Sequence, residues 1–160
     1  MGRGSCAHRP PYFRRRAMPM ISDLHMIDVI SPVAVAIVYV LICSRIREPS
    51  RRNFNAIMIA GAGAAYLNGG MGIWEFVFTP VITFLAFKGL HDYRYIGLGW
   101  LLHTAWDVVH HRYGSPIVPF SPTSSAGCAI CDTILALWCF AGGPSLLDLK
   151  SQSIATESAR

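Results

Sequence analysis

The residues best suited to chemistry lie in the segment LLHTAWDVVHH, residues 101–111. His103, Asp107 and His111 follow one another at four-residue spacing, so on a helix they lie one turn apart on the same side. Imidazole and carboxylate groups placed this way can bind one divalent metal ion, and zinc, iron and manganese all accept such ligands. The spacing therefore predicts a metal site with these three residues as ligands.

Other parts of the chain supply further polar groups. The CAIC motif contains Cys128 and Cys131 and is followed directly by Asp132, while Glu75 opens an apolar segment nearer the N-terminus. A Cys128 thiolate as fourth ligand makes zinc the first choice, with iron and manganese as alternatives. We expect Glu75 and Asp132 to handle protons as the catalytic groups of a water-activating reaction.

Three more residues are expected near this site without binding the metal. Asn68 closes one apolar segment, Cys131 ends the CAIC motif, and His110 precedes His111. On a helical wheel His110 shares the polar side of its segment, but its position at the segment end favours a place at the membrane interface. These residues complete the predicted polar cluster.

Two other interpretations of the same residues stand beside the metal site. His103 and Asp107 can form a hydrogen-bonded pair that joins helices, which makes the protein a non-catalytic scaffold or a partner-binding protein. Cys128 and Cys131 can form a dithiol and disulfide couple, which makes it a thiol redox protein. A lone CxxC motif does not separate redox use from zinc binding.

The elements that must position these groups are apolar helices. Hydrophobic residues make up 52% of the 160-residue chain and charged residues only 14%, whereas soluble domains carry roughly 25% charged residues. The apolar residues form blocks that approach the length of a bilayer-spanning helix. The candidate spans are residues 27–44, 54–68, 73–87, 95–111 and 126–147. The sequence therefore predicts an all-α, multi-pass transmembrane helical bundle of about five spans.

Three parts of the chain are distinguished by composition. The bundle is expected over residues 23–149, between a basic tail at 1–22 and a flexible tail at 150–160. The net charge of +5 comes largely from arginines in the first tail and in the 45–52 loop. A basic loop beside an apolar block is typical of a membrane flank, and no recognition helix or aromatic platform accompanies the charge. The predicted partner is a lipid bilayer, and nucleic acid is excluded.

Several motifs occur together in one order: RRNFNAIMIAGAGAAYLNGG, WEF, GWLLHTAWDVVHH, PTSSAGCAICD and LWCFAGGPS. Over residues 27–147 the chain resembles a family of small, mainly bacterial integral membrane proteins, the domain of unknown function 6010 family. The resemblance implies a multi-pass protein of the bacterial cytoplasmic membrane and implies no activity. The prediction is an integral membrane protein with an intramembrane metal site that serves hydrolysis of a lipid-like substrate.

Overall fold

The computed structural model describes residues 25–67, 70–114, 117–118 and 120–147, and within them the chain forms five α-helices and no strand. The predicted all-α class is confirmed, and each of the five predicted segments coincides with one helix. The predicted tails at 1–22 and 150–160, and Asn68, lie outside the described residues. The helices are α1 (Met26–Cys43), α2 (Ser50–Ala64), α3 (Ile73–Gly89), α4 (Tyr93–Tyr113) and α5 (Ser124–Phe140).

Several helix boundaries differ from the predicted segments, and two of these differences have local reasons. Helix α2 begins at Ser50, before the apolar block, because the guanidinium of Arg51 pairs with Glu48 at 2.9 Å and the polar first turn is stabilised there. Helix α5 ends at Phe140, seven residues earlier than predicted. Gly142 and Gly143 follow it with φ values of 87° and 58°, a left-handed conformation that ends a helix and favours glycine.

Helices α4 and α5 form the central pair of the bundle. The buried positions alternate in steps of four and three along both helices, which is the spacing of a continuous packing seam. A β-carbon added to Gly97 would lie 2.9 Å from the Phe140 ring and 3.2 Å from the Ala136 carbonyl, so the two backbones approach closely. The seam residues are Ile96, Trp100, His103, Asp107 and His110 on α4, and Ser125, Ala129, Asp132, Ala136 and Cys139 on α5.

The other helices pack around this pair through close contacts at small residues and through hydrogen bonds near the helix ends. Gly99 of α4 packs directly against Ile59 of α2, where an added β-carbon would lie 2.9 Å from a side-chain carbon. Helix α1 is joined to α5 near one end, where the Thr123 hydroxyl donates to the Asp28 carboxylate at 3.0 Å. These contacts fix the positions of α1 and α2 against the central pair, around the buried polar groups.

The bundle buries polar side chains within an apolar core and has an apolar exterior. Large apolar side chains are exposed on all five helices, for example Ile37 at 50%, Ile57 at 67% and Phe84 at 59%. Among the described residues, one helix, α1, is long and apolar enough to cross a membrane by length and composition, and it lies near the N-terminus. Helix α5 is apolar but shorter.

Candidate metal centre

The centre of the bundle contains His103, which is 4% exposed. It lies midway along α4, about 15 Å from each end at roughly 1.5 Å per residue. All its polar contacts among the described residues go through one ring nitrogen. Nδ1 is 2.6 Å from Asp132 Oδ2 and 3.4 Å from Asp107 Oδ2, whereas buried Nε2 has no hydrogen-bond partner there. The imidazole is therefore turned towards two carboxylates.

The two carboxylates reach His103 from different helices. Asp107 lies one turn further along α4 and is completely buried, and Asp132 comes from the facing helix α5 and is 5% exposed. Candidate ligand atoms of His103, Asp107 and Asp132 all lie within 4.8 Å of one another. The sequence spacing predicts the first two members of this group, and the α4–α5 seam supplies the third.

The spacing of these atoms is close to what a metal ion requires. Two ligand atoms each about 2.1 Å from a tetrahedral ion lie about 3.4 Å apart. The His103 to Asp107 separation of 3.4 Å matches this value, and the 2.6 Å separation from Asp132 needs to open by about 0.8 Å. A small change in the Asp132 side chain therefore makes room for an ion.

The charge balance also favours a cation. Asp107 and Asp132 place two carboxylates in the interior, and no lysine or arginine forms an ion pair with either of them in the described part of the chain. Buried charges without an opposite charge are unfavourable by several kcal/mol each. With a neutral imidazole the two carboxylates carry a charge of −2, which is the charge that one divalent cation would balance.

Three aromatic rings lie close to the His103 imidazole. The ring centroids of Tyr66, Phe78 and Trp100 lie 5.2, 5.9 and 6.0 Å from that of His103. Phe78 is itself stacked on Trp106 at 4.5 Å, with the planes only 10° apart. These rings keep the imidazole in one orientation and exclude bulk water from that side of the cluster.

A second acid and imidazole pair lies one helical turn beyond Asp107. His110 is 1% exposed, and its Nε2 is 3.6 Å from Oε1 of Glu75, which is 3% exposed. The same Glu75 oxygen accepts the backbone N–H of Met71 at 2.8 Å. His110, expected at the interface, is therefore buried and ties α4 to the start of α3.

The other predicted site residues lie around the cluster without joining the three close ligands. His111 is half-buried on α4, one turn beyond Asp107 at the edge of the packing seam, and is not one of the three close ligand residues. Cys128 and Cys131 are half-buried free thiols on α5, and both interact electrostatically with Asp107 and Asp132. The thiols are thus neighbours of the two carboxylates.

The sequence reasoning missed Tyr66, which lies in the turn after α2 and is 1% exposed. Its hydroxyl donates to Asp107 Oδ1, and its ring contacts both His103 and His110, with centroids 5.2 and 4.3 Å apart. The available signal was a large phenol directly after the small-residue run AGAGAA. Small residues allow helices to approach closely, and a buried tyrosine hydroxyl beside them needs a hydrogen-bond partner.

A family model matches residues 27–145, which is most of the chain. The chain belongs to the family of unknown function DUF6010. No curated protein and no solved structure matches the chain. The matched range contains α2 to α5, all of α1 except Met26, and the whole His103, Asp107 and Asp132 cluster, so the cluster belongs to the family region of the chain.

Proposed function

We propose that this protein is a multi-pass membrane protein that binds one divalent transition-metal ion at His103, Asp107 and Asp132. The observation that carries the proposal is the group of three buried ligand residues, whose ligand atoms lie within 4.8 Å of one another and come from two facing helices. Their combined negative charge is buried, and a divalent cation offsets it.

The distribution of side chains supports the membrane part of the proposal. In water a helical bundle buries its apolar residues and exposes its polar ones. Here Asn55, Glu75, Asp107 and His110 are buried, while every helix also exposes large apolar residues. A lipid environment favours this arrangement, because lipid solvates the apolar exterior and the interior polar groups find partners in one another. A bacterial cytoplasmic membrane suits it.

The ligand set supports a transition metal. One imidazole and two carboxylates suit manganese, iron or zinc. Zinc loses part of its advantage if the Cys128 thiol stays outside the ligand set, because thiolates are what favour zinc over the other two ions. Three protein ligands leave further positions open for water or substrate.

The reaction that this arrangement serves best is hydrolysis. A divalent ion makes a bound water easier to deprotonate and polarises a carbonyl or phosphoryl oxygen. Glu75 and His110 are the next acid and base along the bundle and are suited to receive the proton. His103 lies midway along α4 in a bundle whose exterior is apolar, so a substrate that reaches the ion from the bilayer would be lipid-like.

Elemental analysis of protein purified in mild detergent tests the metal site. The wild-type chain should contain stoichiometric zinc, iron or manganese, and both His103→Ala and Asp132→Asn should remove it. His91→Ala is the matched control, because His91 is exposed in the turn between α3 and α4, away from the cluster. Metal-free wild-type protein, expressed with all three metals supplied, would rule the proposal out.

A structural role for the cluster is the second candidate, favoured by the number of helices that meet there. The Tyr66 to Asp107 and His103 to Asp132 contacts join the end of α2 to α4 and α4 to α5. If the cluster only ties helices, Asp132→Asn should lower the free energy of unfolding by about 3–5 kcal/mol. It should do so equally with and without added metal, which separates the two candidates.

A further inference from the structure

The two oxygens of the Asp107 carboxylate have different partners. Oδ1 accepts the hydrogen bond from the Tyr66 hydroxyl, and Oδ2 faces Nδ1 of His103 at 3.4 Å. The carboxylate is completely buried, so bulk solvent does not compete for either oxygen. The hydrogen bond therefore sets the rotation of the carboxylate and directs Oδ2 towards the candidate metal site.

Tyr66 is itself held firmly enough to impose this orientation. Its side chain is 1% exposed, and its ring packs edge-on against Phe78, with centroids 6.4 Å apart. The rings of His103 and His110 lie 5.2 and 4.3 Å away. A ring enclosed by three others cannot swing its hydroxyl away from Asp107 without disturbing the core.

We infer that Tyr66 is a positioning residue that makes Asp107 a monodentate ligand, and that the site thereby selects a transition-metal ion over calcium. The inference rests on the metal-binding function proposed above. Calcium requires six to eight oxygen ligands and commonly takes carboxylates through both oxygens. With Oδ1 occupied by Tyr66, Asp107 offers one oxygen. Manganese, iron and zinc are satisfied by one oxygen, together with the imidazole and a second carboxylate.

The test compares Tyr66→Phe with wild type in the full-length chain, using Mn²⁺ and Ca²⁺ separately as titrants of metal-stripped protein. Tyr66→Phe keeps the ring and removes only the hydroxyl. Loss of an outer hydrogen bond of this kind weakens metal binding by about 10–100-fold, and we expect that loss for Mn²⁺. Ca²⁺ binding should stay equal or strengthen, because Oδ1 becomes available. An equal loss of affinity for both ions would contradict the selectivity role.

Tyr93→Phe is the matched control. The Tyr93 hydroxyl also donates to a carboxylate, Oε1 of Glu48 at 2.7 Å, but at the first residue of α4. This position is about 15 Å along the helix from His103 at 1.5 Å per residue. Tyr93→Phe should therefore leave the Mn²⁺ and Ca²⁺ affinities unchanged.

A double-mutant cycle identifies the route of the effect. If Tyr66 acts through Asp107, then Tyr66→Phe should have no further effect on Mn²⁺ affinity in an Asp107→Glu background, which keeps a carboxylate ligand but moves its oxygens away from the Tyr66 hydroxyl. Additive effects would overturn the inference. X-ray absorption of Mn²⁺-loaded wild-type and Tyr66→Phe protein gives a second measurement: an additional carboxylate oxygen bound to Mn²⁺ in the variant supports the inference, and an unchanged set of bound oxygens contradicts it.

The two proposals fail in distinguishable ways. Wild-type protein that binds no metal overturns the proposed function and this inference together. Wild-type protein that binds Mn²⁺ equally well with and without the Tyr66 hydroxyl overturns the positioning role and leaves the metal site intact.

Discussion

A charged residue substituted on the exterior of α3 lowers the stability of the protein by different amounts in a membrane and in water, so its effect tests which environment surrounds the helix. Val81 lies midway along α3, eight residues from each end or about 12 Å at 1.5 Å per residue, and is 44% exposed. In water, Val81→Asp at such a surface position changes the free energy of unfolding by about 0.5 kcal/mol or less. The substitution is therefore expected to have little effect on stability if water surrounds α3.

The expected cost in a bilayer is several times larger. An aspartate at the centre of a membrane helix costs about 2.5–3.5 kcal/mol, and the valine that it replaces contributes about 0.3–0.6 kcal/mol favourably. The substitution should therefore destabilise the inserted bundle by about 3–4 kcal/mol, which is a shift of roughly 10²- to 10³-fold in the folding equilibrium.

Equilibrium unfolding in lipid bicelles measures this cost, and fractionation of membranes measures insertion in cells. Val81→Thr is the control, since it keeps the β-branched shape and adds no charge. We expect Val81→Asp to lose several kcal/mol relative to Val81→Thr and to accumulate less in the membrane fraction. If the two variants unfold within about 0.5 kcal/mol of each other, α3 does not face lipid and the multi-pass topology is refuted.

Three further predictions concern packing and the ligand set. Gly99→Ala should destabilise the fold by about 1–3 kcal/mol in an unfolding measurement, because its new methyl group meets Ile59, whereas Gly61→Ala has no neighbour within 4 Å and should not destabilise it. Neither His111→Ala nor Cys128→Ser should reduce the metal content measured by elemental analysis. Loss of metal from either variant would show that the replaced residue is a ligand, as its sequence position predicts. Dialysis at decreasing pH should release the metal, because protons compete for the imidazole and the carboxylates, and occupancy that is unchanged in acid would argue against these ligands.

The helices could be predicted from the sequence because each depends on the pattern of residues within its own segment. The apolar blocks predict five helical segments, and each coincides with a helix. The four-residue spacing of His103 and Asp107 places them on one side of α4, where both are buried. A contiguous helix needs no tertiary information to place residues one turn apart.

The grouping of residues across helices was not readable in the same way. His110 and His111 are adjacent in the chain, and the rotation of α4 against α5 decides that His110 is buried while His111 is only half-buried. Asp132, expected as a proton carrier, approaches His103 to 2.6 Å because the two α-helical seams align at that level. A shift of α5 by one residue against α4 would place a different side chain opposite His103.

The order of residues therefore dictates that this chain forms five helices and that one of them has a polar side, because helical periodicity acts between near neighbours. The packed bundle alone decides which groups meet. It joins Tyr66 to Asp107 across 41 positions and His103 to Asp132 across 29. Such contacts depend on the depth and rotation of each helix against its neighbours, set by close approaches such as Gly97 against Ala136, and no local pattern encodes them.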